Sequence, residues 1–278
     1  MKLSAFPFRA SLNASTLFPF ELGIEEQIRT AAEAGYEGIE IWMKDLQAYA
    51  ENGGSVTRLG RVAADLGIAI AGAISFIPWG DADEGVRARG RSQADAELTL
   101  LAELGCPAFA APPFGEVTDA SPTQLAERYA ELAEQSARYG IVPVLEFWGR
   151  AKKLSTLGEA LEVAKLSGLS RVPMLLDPFH LYVGGSDWSD VSRLQAEDIG
   201  IVHANDYPAH PPRETIADAD RLFPGDGIAP SAELARMLAA SGYRGFLSLE
   251  LFASDYGGRS ALETARYGLD KIKRAYAV

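Results

Sequence analysis

Four side chains of metal-ligand type close four successive apolar runs in the second half of this chain. Glu146 lies in Val-Leu-Glu-Phe, Asp177 ends Met-Leu-Leu-Asp, His203 ends Gly-Ile-Val-His, and Glu250 ends Leu-Ser-Leu-Glu. Three carboxylates and an imidazole cannot share one desolvated space as bare charges, because burial and mutual repulsion both oppose it. One divalent cation removes the conflict. The donors are mostly hard oxygens, so Mn²⁺ is expected, with Mg²⁺, Co²⁺ or Zn²⁺ as alternatives. Singly, a strand-end carboxylate is more often an exposed cap or a salt-bridge partner. The expectation rests on all four occurring on consecutive runs.

Other residues are placed to meet a substrate. His180 follows Asp177 in Asp-Pro-Phe-His and either donates a hydrogen bond to substrate or anchors its loop. Lys152 lies six residues after Glu146 and is either a solvated loop lysine or a positive group facing substrate. Arg221 either clamps a substrate oxygen or pairs with Asp218 or Asp220. Trp42, Trp79, Phe114 and Trp148 follow the second to fifth apolar runs and either line a sugar site or belong to the core. Asn13 and Glu40, near the ends of the first two runs, are weaker substrate-binding candidates. His210 reads as a surface group. Gly225-Asp226-Gly227 reads as a tight turn rather than a phosphate cradle, because an aspartate stands in its centre.

The elements that must position these groups alternate. Apolar runs predict strands over 8–13, 36–42, 68–76, 107–111, 141–147, 172–177, 199–205 and 246–251. Helical patterns fall over 25–35, 56–66, 86–104, 121–139, 156–166, 187–197, 231–241 and 260–276, with Ser121-Pro122 a helix start. The runs are apolar throughout rather than alternating, as for parallel strands covered on both faces. Eight such units predict an α/β fold, a (β/α)8 TIM barrel, as a single domain over residues 1–278. In a barrel all strands point one way, so the four strand-end ligands meet at the C-terminal mouth. An open doubly wound sheet is the alternative, but no Gly-x-Gly-x-x-Gly follows the first strand. A proline-rich segment over 206–230 is long enough to be functional and would cover the mouth.

Composition narrows the partners. The chain has 278 residues, 47% apolar and 23% charged, with a formal net charge of −12. That charge repels phosphate backbones, and no Lys/Arg cluster offsets it, so nucleic acid is not an expected partner. No apolar run is long enough for a membrane span. The lone Cys106 cannot form an internal disulfide and reads as a buried thiol. With no signal-peptide pattern at the N-terminus, the expected compartment is the cytoplasm. Homo-oligomerisation is left open.

Leu-Glu-Phe-Trp-Gly-Arg, Leu-Asp-Pro-Phe-His, Val-His-x-x-Asp, Arg-x-x-x-Gly-x-Gly and Ser-Leu-Glu occur here in the order found in xylose isomerase-like TIM barrels. The chain resembles the sugar-phosphate isomerase/epimerase group of that family, which includes ketose 3-epimerases and inosose-processing enzymes. The resemblance implies that Glu146, Asp177, His203 and Glu250 bind the metal and that His180 and Arg221 touch substrate oxygens. It implies proton abstraction alpha to a carbonyl of a keto-sugar, sugar phosphate or inosose, through a metal-stabilised enediolate. Glu146 and Glu250 match the two glutamates that move the proton on opposite faces in the epimerases. Two features depart from that pattern: those enzymes carry a second glutamate where this chain has Lys152, and the segment between His203 and Arg221 is longer here.

Three rivals remain. A dehydratase or other lyase would use the same enolate, with Lys152 or His180 protonating the leaving oxygen. A phosphoesterase like the DNA-repair endonucleases that share this barrel needs a histidine-rich zinc cluster, and this chain has three histidines. A sugar-binding barrel without turnover would be expected to lack the ligand set.

Overall fold

The computed structural model describes residues 5–278. Its strands are short and rich in Ala, Val, Ile and Leu: β1 (Arg9–Asn13), β2 (Gly38–Trp42), β3 (Ala69–Ile74), β4 (Ala108–Ala111), β5 (Val142–Glu146), β6 (Met174–Leu176), β7 (Ile199–Ala204) and β8 (Phe246–Leu249). Each pairs in parallel with the next, and β8 returns to β1 through Arg9↔Phe246 to Leu12↔Leu249, closing an eight-stranded barrel in sequence order. Closure leaves no unpaired strand edge.

The connecting helices are α1 (Ile24–Ala34), α2 (Met43–Glu51), α3 (Val56–Asp65), α4 (Glu84–Leu104), α5 (Pro122–Ala137), α6 (Leu157–Leu166), α7 (Pro178–Gly184), α8 (Ser231–Ala240) and α9 (Ala261–Ala275). Their starts follow local chemistry. Ser121, Thr156 and Ser260 each accept from the third helical amide, while Gln124, Glu159 and Glu263 reach back to the cap amide. Gly35 and Gly105 end α1 and α4 at positive φ, where a side chain would be strained.

The core has two layers. The larger one packs helices onto the outside of the barrel, with Leu12, Ile28, Leu59, Leu98, Leu157 and Leu249 among its members. A smaller cluster of Ile74, Ala110, Val144, Leu175 and Ile201 forms separately, with one member from each of five neighbouring strands. Polar groups at the C-terminal strand ends therefore stand on a packed floor, not over an open pore.

Three expectations about elements need correction. The helix expected over 187–197 is two 3-10 turns, Trp188–Arg193 and Ala196–Asp198. Asp187 takes the amide of Ser189 and Asp198 takes that of Gln195, local bonds that compete with a continuous helix. The helix after β6 is instead α7, capped by Asp177 with Pro178 in its first turn. A further helix, α2, directly follows Trp42 where none was expected. Among the described residues, no helix is long and apolar enough to cross a membrane.

Candidate active site

β5, β6, β7 and β8 deliver the four strand-end candidates to the C-terminal mouth. Glu146 is the last residue of β5, Asp177 and Glu250 stand one residue beyond β6 and β8, and His203 is the fifth residue of β7. All four are buried. Asp177, His203 and Glu250 each offer a ligand atom within 4.8 Å of the others. His203 Nδ1 is 2.9 Å from Glu250 Oε2 and 3.6 Å from Asp177 Oδ2. Glu146 stands outside this trio, on the wall of the adjoining cavity.

The trio is held from behind. The His203 Nε2 lies 3.2 Å from Glu40 Oε2. Asn13 Nδ2 donates to Glu250 Oε1 at 3.1 Å and to Glu40 Oε2 at 3.4 Å, while Asn13 Oδ1 accepts from the Trp42 indole at 2.8 Å. Asn205 Nδ2 donates to Asp177 Oδ1, which also accepts the Phe179 amide. Asn13 and Glu40, expected to touch substrate, instead contact the trio, and neither lines the cavity. Asn205 went unremarked in the sequence; its position two residues after His203, on the same face of the run, was the available signal.

Arg221 reaches the trio from the segment over 206–230. Its Nη1 donates to Asp177 Oδ2 at 2.7 Å and to Glu250 Oε2 at 2.6 Å, and its Nη2 to Asp218 Oδ1 at 2.7 Å. The guanidinium lies over the rings of Phe179 and Phe252, 4.5 and 5.2 Å from their centroids. The expected pairing with Asp218 is present, and Arg221 also lines the cavity. Its position depends on Asp206, which is fully buried. The Asp206 carboxylate accepts the amides of Tyr207, Gly225, Gly227 and Ala229. The amides of Gly225 and Gly227 therefore meet an internal carboxylate and that of Asp226 meets Phe223 O, which fits the turn reading and leaves no cradle for phosphate. A Cβ on Gly227 would meet Tyr207 O at 2.2 Å, so only glycine fits there.

Charges couple strongly in this space. Burial opposes ionisation of Asp177, but Arg221 and the two histidines outweigh it and hold the carboxyl well below its usual range. Burial also opposes a charge on His203, yet Glu250 and Glu40 prevail and favour the protonated ring. Glu146 behaves oppositely: burial pushes its carboxyl up to about 8, with Glu250 and Asp177 adding to the shift against His203. His180 Nε2 is 4.0 Å from Glu146 Oε1 and 3.4 Å from Arg221 Nη2, and His180 Nδ1 accepts the Gly149 amide at 3.4 Å. Burial lowers the His180 pKa.

The donor set fits a divalent cation. Neither nitrogen of the buried His203 ring makes an aligned hydrogen bond. Nδ1 faces two carboxylate oxygens, and a buried ring nitrogen without a partner is costly unless it binds an ion. Glu40 behind Nε2 is the usual outer partner of a metal-ligating histidine.

The cavity above the trio measures about 810 Å³. Glu146, His180, Arg221 and Glu250 give it one polar side, and Lys152 and Arg150 stand on the loop after β5. Trp42, Phe114 and Trp148 line it as expected; Phe76 and Phe252 join them unforeseen. Trp79 does not: it is buried, donates its indole N–H to Pro112 O at 2.7 Å and packs edge-on against Tyr129. It belongs to the core because its partner carbonyl lies behind the wall rather than in the mouth. His210 is exposed, as expected.

A closed parallel barrel with acidic and imidazole donors at its C-terminal mouth defines a class of metal-site TIM barrels. The chain belongs to the xylose isomerase-like TIM barrel family, whose profile matches residues 28–275. A 3-dehydroshikimate dehydratase of Pseudomonas aeruginosa is 31% identical over 261 residues, covering 90% of this chain and 39% of that protein. An inosose isomerase of Halalkalibacterium halodurans is 33% identical over 141 residues, 50% of each chain. This chain thus spans half or less of the length of these relatives, both of which are named as enzymes. Among solved structures, the IolI protein with a bound zinc atom superposes with a TM-score of 0.87 at 22% identity, covering 98% of this chain and 100% of that one.

Proposed function

We propose that this protein is a metal-dependent isomerase or epimerase that removes a proton alpha to the carbonyl of a small polyhydroxy ketone: an inosose, a keto-sugar or a sugar phosphate. The observation that carries the reading is Glu146, a buried carboxylate on the cavity wall next to the donor trio, with no Lys or Arg paired to it among the described residues and His180 4.0 Å away. Asp177, His203 and Glu250 would hold the ion, Mn²⁺ by preference, with Glu146 as the fourth ligand. When bound, the cation supplies Lewis-acid polarisation of the substrate carbonyl.

The remaining work falls to side chains. Glu146 takes the proton as the general base. The His180 ring and the Arg221 guanidinium orient substrate oxygens. The aromatic wall keeps water from the reacting carbon. Returning the proton to the neighbouring carbon gives isomerisation. Returning it to the opposite face of the same carbon requires a second group, Glu250. Both Glu250 oxygens already accept, from Asn13 and Arg221, which favours one-base isomerisation over two-base epimerisation.

Dehydration is the second reading. It is favoured by His180, which stands beside Glu146 as an acid next to a base, and by the dehydratase likeness extending over 90% of the chain. Lys152 is the alternative acid. Manganese-loaded protein incubated in D₂O with inososes, keto-sugars, their phosphates and 3-dehydroshikimate separates the outcomes. Deuterium at the alpha carbon without loss of water supports isomerisation or epimerisation. A new ultraviolet band from a conjugated product supports dehydration. Absence of both with every compound overturns the enolisation reading. Glu146→Gln is expected to slow exchange by about 10²–10⁴-fold at saturating Mn²⁺, with the ion still held by Asp177, His203 and Glu250.

A further inference from the structure

We propose that the cavity takes a sugar ring that carries both the reacting ketone and a flat aromatic substituent: an aryl glycoside oxidised to a ketone at a ring carbon. The ketone end is the polyhydroxy ketone of the reading above, on which the inference rests for the place of reaction. The aromatic group is an appendage to it.

The cavity is larger than a single sugar requires. It measures about 810 Å³. A six-carbon keto-sugar has twelve non-hydrogen atoms, and even at the loose packing of liquid water, about 30 Å³ for each, it fills about 360 Å³. More than half of the space is left over, and its walls are apolar. The polar groups gather at the donor trio: Arg221 bonds Glu250, and His180 lies 3.4 Å from Arg221 and 4.0 Å from Glu146. From there a strip of aromatic rings leads outwards. Phe252 lies against the Arg221 guanidinium, its centroid 5.2 Å away. Trp42 follows at 6.0 Å, Phe76 at 5.5 Å and Phe114 at a further 5.5 Å, with Trp148 beside Phe76 at 6.0 Å.

The outer end of the strip is Phe114. It is 41% exposed, and it is the one aromatic ring among the exposed large apolar side chains of the described residues. The loop after β4 holds it there. Asp81, itself buried, accepts the Glu116 amide at 2.8 Å, and the Ala82 amide donates to Glu116 O at 2.7 Å. Between them Gly115 turns at a φ of 100°, where a Cβ would lie 2.6 Å from Asp81 Oδ2. Exposed apolar surface rimmed by polar groups marks a binding groove.

Hydroxyl groups gain nothing from this strip. The Trp42 indole N–H is already given to Asn13, at 2.8 Å, and hydroxyls pressed against ring faces lose their hydrogen bonds to water. A sugar alone therefore leaves the strip uncovered. A flat aromatic group covers it and makes the offset or edge-on ring contacts that aromatic pairs prefer. The anomeric carbon of an aryl glycoside is an acetal, so its ketone stands at another ring carbon. The sugar can then turn its ketone and a neighbouring hydroxyl to the trio while the aryl group lies outwards, towards Phe114.

The test is equilibrium binding to the manganese-loaded full chain, read by calorimetry and so independent of turnover. The probes are phenyl, cyclohexyl and methyl glucosides, which share a sugar and differ in the substituent. Phenyl glucoside is expected to bind about ten-fold more tightly than methyl glucoside, from apolar burial and ring contact together, with cyclohexyl glucoside between them. Phe114→Ala is expected to lose most of the phenyl margin and Phe114→Trp to keep it. Equal affinity for phenyl and methyl glucosides, cyclohexyl glucoside binding as tightly as phenyl, a margin that Phe114→Ala leaves intact, or binding of none of the three would overturn the proposal. These probes carry no ketone, so the two readings fail separately. A phenyl margin without deuterium exchange in any ketone would remove the enolisation reading and leave this inference standing; exchange without a phenyl margin would do the reverse.

Discussion

At the scale of single residues, the candidate metal centre shows how one side chain acts through another. Glu40 does not reach the cavity; its carboxylate stands 3.2 Å from His203 Nε2, opposite the nitrogen that faces Asp177 and Glu250. An outer carboxylate in this position fixes the ring and raises its basicity as a ligand. Glu40→Gln keeps the shape and removes the charge. It is expected to weaken Mn²⁺ binding about 10–100-fold, measured by competition with a chromophoric chelator. Unchanged affinity would show that the ring is held by packing alone. Cys106, by contrast, has no place in the chemistry: it is buried, and burial pushes its thiol up to about 12, so it stays protonated at neutral pH.

At the scale of elements, the segment over 206–230 is the part of the barrel most specific to this site. It has little regular structure, yet it places Arg221 between two candidate ligands. Its order comes from one buried acid: Asp206 gathers four backbone amides, and its own backbone pairs with Leu222, next to Arg221. Asp206→Ala leaves those amides without their charged acceptor. A loss of about 3 kcal/mol in unfolding free energy is expected from denaturant titration. Faster hydrogen exchange at Gly225 and Gly227 should accompany it. Wild-type protection at those glycines in the variant would mean that the loop is held by its apolar contacts, Tyr207 on Tyr182 and Ile216 against α7.

For the whole molecule, a bound cation would link the last four strands. It binds the folded chain and not the unfolded one, so it should add stability by mass action: about 2.7 kcal/mol at a hundred-fold excess over its dissociation constant. Chelator treatment is expected to lower the melting temperature, and Mn²⁺, Co²⁺ or Zn²⁺ to restore it in a concentration-dependent way. A melting temperature indifferent to both would argue against a shared ion at Asp177, His203 and Glu250. The net charge of −12 makes the control necessary: NaCl at matched ionic strength reports general screening.

The barrel was legible because its signals are local. Eight apolar runs separated by capped helices leave few other ways to bury a parallel sheet, and strand direction alone sends Glu146, Asp177, His203 and Glu250 to one mouth. Where side chains compete for nearby amides, as between Asp187 and Asp198, the same local reading misplaced a helix. Which aromatic faces the cavity was not written in spacing: Trp79 and Trp148 both follow strands, but Pro112 O draws one into the core while the other lines the cavity. Tertiary structure also decided the roles of Glu40, Asn13 and Arg221. Apart from Asp218 beside Arg221, the partners that set these roles lie 27 or more residues away in the chain, so only closure of the barrel and the path of its longest loop bring them together.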